Sequence, residues 1–134
     1  MLGMNPEQQI LLTQKVMHHL EEWGLSAEQQ IAVLDLPNDI KARRLRAYHE
    51  NTPFPDTSEV EYRVVRLLGI IDALRTTYPT NPLMASRWVK TPHKRFDNRS
   101  PLHTMLQDGG DGVTAVLAEL DCTYAWDLSS SQIR

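Results

Sequence analysis

The side chains able to do chemistry are few and scattered: five histidines and a single cysteine, Cys122. His18 and His19 are neighbours, so on a helix they point to different faces and cannot clasp one ion as an i, i+4 pair would. His49, His93 and His103 stand near serines or acids, but no spacing among them sets up a nucleophile, a base and an orienting group. A lone cysteine excludes an intrachain disulfide and any multi-cysteine metal site, and burial at a helix end is its expected role. The run Gly109-Gly110-Asp111-Gly112 has no preceding strand and no following Lys-Ser or Lys-Thr, so it is not a phosphate-binding loop. These readings predict no enzyme: no catalytic residue, no metal site, no cofactor and no small-molecule substrate.

The chemistry that remains is positive charge. Arg87, Lys90, Lys94, Arg95 and Arg99 face only Asp97 in their stretch, and Lys41, Arg43, Arg44 and Arg46 follow Asp39 in the amino-terminal half. Such groups recognise carboxylates or phosphates. A merely solvated face is the competing reading for both runs.

The elements that would position the second run can be read from its punctuation. Pro82 starts a helix capped by Asn81, and that helix carries Trp88, expected in the core, and stops near Thr91 because Pro92 lacks a backbone N–H and biases Thr91 away from the α region. A basic connector leads to Ser100-Pro101, a cap followed by a preset first helical residue. A short helix to about Gln107 then meets Gly109, Gly110 and Gly112, where positive φ or close approach ends it. Val113, Val116, Leu117 and Leu120 repeat at helical spacing beyond the break.

Trp88-Val89-Lys90-Thr91-Pro92, then Ser100-Pro101-Leu102, then Gly109 through Val113 resembles the toxin-binding domain shared by the Xre, MbcA and ParS antitoxins. The resemblance covers Pro82 to about Trp126, and the preceding segment looks like the helix-turn-helix domain of the same family. It implies a homodimeric type II antitoxin that sterically occludes a RES-domain toxin, one that depletes NAD or transfers ADP-ribose, and that represses its own operon. On this reading Lys90, His93, Lys94, Arg95, Arg99, Tyr124 and Trp126 face the toxin. Trp88, Pro92, Ser100, Pro101, Gly109, Gly110 and Gly112 build the platform.

The amino-terminal half supplies the rest of the layout. Leu12, Val16, Leu20 and Trp23 make one apolar face of a first helix ended by Gly24; Ser26 and Gln29 form a capping box for a second helix to about Leu34. Pro37-Asn38-Asp39 breaks before a third helix from Ile40 to about His49. Two short helices after a longer one suit a helix-turn-helix unit, with Lys41, Arg43, Arg44 and Arg46 as its DNA-contacting residues. Asp35 stands at a bend where the resemblance leads one to expect Gly. After the stiff Thr52-Pro53-Phe54-Pro55 connector, Ser58 and Glu61 offer a second capping box. Val60, Val64, Leu67, Leu68, Ile71 and Leu74 then stripe a long central helix to Thr77.

With 134 residues, 41% apolar and 23% charged, the chain has the composition of an ordinary globular protein, large enough for one core or two small ones. No window nears the ~18 apolar residues of a membrane span, and the first residues carry no secretory signal. A cytoplasmic protein is expected. The net charge of −3 excludes coating of nucleic acid by bulk charge but allows a local basic face. The reading is therefore all-α: residues 1–56 as helix-turn-helix domain, 57–80 as central helix, 81–134 as toxin-binding domain with a mobile tail. The rival function is a helix-turn-helix transcription regulator without a toxin.

Overall fold

The computed structural model describes residues 3–133, with side chains described through Asp121. Six α-helices follow one another: α1 Pro6–Glu22, α2 Ala27–Leu34, α3 Arg44–Glu50, α4 Ser58–Thr77, α5 Pro82–Lys90 and α6 Pro101–Ile133, with one 3-10 turn at Lys94–Phe96. No strand forms among the described residues; one isolated backbone bridge pairs His93 with Arg99. The protein is all-α. No helix among the described residues is long and apolar enough to cross a membrane. The chain divides into two compact units, Met1–Val65 and Arg66–Arg134, with the boundary inside α4.

In the first unit, local signals set the helix ends. Asn5 and Ser26 each accept a hydrogen bond from the backbone N–H three residues on, and Gln8 and Gln29 answer with side-chain oxygens. These reciprocal caps start α1 and α2 by satisfying N–H groups that have no helical partner. Gly24, at φ 79°, ends α1 in a left-handed turn, with Leu25 N–H donating to the Leu20 carbonyl. Asp35 does the same for α2 at φ 54°, ψ 42°, with Leu36 N–H donating to the Ile31 carbonyl. An acid thus occupies the position glycine favours. Val16, Met17, Leu20, Val33, Leu34 and Tyr48 are buried in this unit, as are Val60 and Val64.

Two boundaries depart from the sequence expectation. The third helix begins at Arg44 rather than Ile40. Residues 37–43 instead make successive turns, with Ile40 N–H bonded to the Pro37 carbonyl and Arg44 N–H to that of Lys41, and no side chain caps α3. Buried Leu36 holds the chain just before these turns. Lys41 and Arg43 therefore precede the helix, and the connection from α2 is longer than the tight turn of a helix-turn-helix pair. At α4, Thr57 rather than Ser58 is the cap: its hydroxyl accepts from Val60 N–H at 3.2 Å. That register turns Val60 fully inward.

In the second unit, Leu67, Ile70, Ile71 and Leu74 of α4 are buried, together with Val89, Phe96, Met105, Val113, Val116 and Leu120. Ile70, not Leu68, completes the buried stripe; Leu68 is half-buried. Gly69 lets α6 come close, since a Cβ there would lie 3.0 Å from Leu117 Cδ1.

Candidate functional site

The cationic run lies on α5, the loop after it and the start of α6. Asn81 accepts from Met84 N–H at 3.3 Å with Pro82 in the first turn, and α5 ends at Thr91, whose hydroxyl donates to the Arg87 carbonyl at 2.6 Å. The Asn81-Pro82 start and the stop before Pro92 are where the sequence places them. Val89 is the residue of this helix that is completely buried, and Trp88 beside it is only half-buried, not the core anchor its size suggests. Val89 takes the inward position one residue on.

The loop closes on His93. Its N–H donates to the Arg99 carbonyl at 3.1 Å, and its own carbonyl accepts from Phe96 and Asn98 N–H groups, each at 3.0 Å. Asp97 and Asn98 take consecutive left-handed conformations, φ 57° and 64°. Short polar side chains tolerate that region better than most. The His93 ring lies 5.2 Å from that of Trp88 and 6.3 Å edge-on from that of Phe96, and its Nε2 is 3.4 Å from the Trp88 carbonyl. Phe96, buried, pins the turn to the unit.

The four Lys and Arg side chains of the expected binding surface divide into two groups. Lys90 and Lys94 are exposed. Arg95 Nε donates to Glu119 at 2.7 Å, an exposed pair. Arg99 is the most engaged: Nε donates to the Phe96 carbonyl, Nη1 to Gln107 and to Asp108 Oδ1, and Nη2 to Asp108 Oδ2 at 2.9 Å. These bonds hold the Asp108 carboxyl below the usual carboxylate range and the guanidinium above its ordinary value. Arg99 therefore ties the loop to α6, and His93 closes that loop. Tyr124, Trp126 and Cys122 carry side chains outside the described residues.

Ser100 caps α6 by accepting from His103 N–H at 3.0 Å. The helix bends at Gly109, whose φ 63° and ψ −135° are open only to glycine. Across the bend Gly112 lies against the Thr104 carbonyl, where a Cβ would sit at 2.2 Å from the oxygen. Gly110 is half-buried in the same turn. Sequence reasoning missed Phe96, Gln107, Asp108 and Glu119; an acid at i+9 from Arg99 carries no periodic signal.

On the amino-terminal unit, Lys41, Arg43, Arg44 and Arg46 are all exposed, while Leu45 and Tyr48 of α3 are buried. No group of three or more His, Cys, Asp or Glu among the described residues is placed to hold a metal ion.

Fold and site together define an all-α protein whose second unit presents a cationic helix–loop–bent-helix surface. Residues 73–123 match the family model described as the antitoxin Xre/MbcA/ParS C-terminal toxin-binding domain. That stretch is thus similar to the antitoxin domain, and the match runs from the end of α4 through the bend of α6. No curated protein matches the chain.

Proposed function

We propose that this protein is the antitoxin of a type II toxin–antitoxin system, and that it neutralises a RES-type toxin, consuming NAD or transferring ADP-ribose, by covering its active-site entrance. The observation that carries the reading is that the match to the toxin-binding domain, residues 73–123, takes in the end of α4, all of α5, the His93 loop and α6 through its bend. Exposed Lys90 and Lys94, with Arg95 at its rim, would meet carboxylates of the toxin, and Tyr124 and Trp126 would extend the contact. Inhibition is steric on this reading and needs no catalytic group.

The test is cellular NAD after induction of the toxin-like reading frame beside this gene. NAD should collapse when the neighbour is expressed alone and hold when both are expressed and co-purify. Unchanged NAD and growth with the neighbour alone would remove the RES assignment.

The exposed cations at 41–46 favour a second role. A homodimer would bring two such patches to operator DNA and repress the operon. Binding to the promoter should weaken steeply with salt, and each phosphate-contacting Lys or Arg removed should lower the log–log slope by about 0.9. Sequence-selective promoter binding without a stable protein partner would instead favour a transcription regulator without a toxin.

A further inference from the structure

The outward face of α5 carries a feature that the cationic loop does not explain. Leu83, at 80% exposure, is the most open large apolar side chain among the described residues, and Met84 beside it is 38% exposed. Leu83, Arg87 and Lys90 recur at i, i+4 and i+7, one face of the helix, opposite the side that buries Val89. Leu83, Met84, Arg87 and Lys90 line an open cleft of about 600 Å³ whose exposed lining is mainly apolar. An exposed leucine alone means little; an apolar cleft rimmed by cations on one short helix is the anatomy of a docking site.

The charge pattern decides the occupant. α5 contains Arg87 and Lys90 and no acid. A two-fold contact of this face with a second copy would set these cations against their own equivalents, a like-charge pairing that costs affinity. The complementary occupant is a segment with an apolar side chain flanked by carboxylates. We infer that the α5 face docks such an acidic-flanked apolar segment of the toxin, with Leu83 and Met84 as the apolar contact and Arg87 and Lys90 pairing its carboxylates. This rests on the antitoxin reading and moves the anchor of the complex from the loop to α5.

The experiment uses the full chain and the toxin encoded beside it, with affinity measured for wild type, Leu83→Asp, the double variant Arg87→Glu/Lys90→Glu, and Leu11→Asp as an exposed-leucine control on α1. A photo-crosslinking side chain at position 83 reports the neighbour directly. Folding of each variant is checked by helix content and melting temperature, which changes at such exposed sites should leave near wild type. The expected result is at least a tenfold rise in Kd for Leu83→Asp and for the charge reversal, no change for Leu11→Asp, and a crosslink from position 83 to the toxin. Wild-type binding with unchanged affinity in the α5 variants overturns the docking site and leaves the antitoxin reading standing. A crosslink from position 83 to a second copy, or to anionic vesicles and not to toxin, overturns it in favour of that occupant. Absence of binding by the wild-type chain overturns both readings.

Discussion

Arg99 and Asp108 meet through both oxygens of the carboxylate, Nη1 to Oδ1 at 3.0 Å and Nη2 to Oδ2 at 2.9 Å. Asp108 is the last residue before the bend at Gly109, so this fork joins the loop entering α6 to the point where α6 turns. A bidentate guanidinium–carboxylate pair fixes orientation as well as distance, which a single ammonium cannot. Arg99→Ala should lower the melting temperature of the protein. Arg99→Lys should recover only part of the loss, and thermal unfolding followed by circular dichroism would compare the three chains. Equal melting temperatures would remove the clamp role.

The same pair predicts a pH dependence. Its hydrogen bonds depress the Asp108 pKa, so the folded state binds fewer protons here than the unfolded state does between the two pKa values. The stabilisation is present above the unfolded carboxylate pKa of about 3.9 and is lost as pH falls through the folded value. Denaturant unfolding at stepped pH should show a steeper loss below about pH 4 in wild type than in Asp108→Asn.

The glycines of α4 and α6 should differ in kind. Gly112→Ala would push a Cβ into the Thr104 carbonyl, and a backbone atom cannot yield as a side chain does. A cost of about 2 kcal/mol or more is expected. Gly109→Ala forces a conformation that L residues avoid, at roughly 1–3 kcal/mol. At Gly69 the neighbour is the end of a leucine side chain, and Ala there should be milder. Chemical denaturation of the three variants orders them.

Asp35→Gly should stabilise. Asp35 ends α2 in the left-handed region, and its ion pair to Arg63 is long, 3.9 Å, and half open to solvent. Relief of the backbone outweighs the lost pair and the added unfolded-state entropy, for a gain of about 0.5–1 kcal/mol. A lower denaturation midpoint for Asp35→Gly would show that the acid contributes more than its geometry suggests.

Arg63 has the opposite expectation. Largely buried, it donates to the Val33 and Ala32 carbonyls at 3.1 and 3.4 Å, satisfying oxygens at the end of α2. Arg63→Ala should cost about 1–3 kcal/mol. Faster amide exchange should appear at Asp35 and Leu36, whose N–H groups close that end.

Much of this protein could be read from neighbours along the chain. The Ser26–Gln29 box, the Asn81-Pro82 and Ser100-Pro101 starts, the stop before Pro92 and the break at Gly109 each depend on residues within about four positions. Such interactions are nearly the same in any tertiary setting. The toxin-binding motif shared this local character, which is why it could be recognised from residues alone. What only the tertiary structure decided depended on distant partners. Thr57 caps α4 in place of Ser58 because that register buries Val60, and α3 starts late because buried Leu36 and two turns take up the chain before Arg44. Val89 rather than larger Trp88 is buried, and Arg99, one cation among five in sequence, is the one drawn into the fold by an acid nine residues away. Periodicity says which side chains share a face, but burial and ion pairing are settled by what the rest of the chain brings against that face.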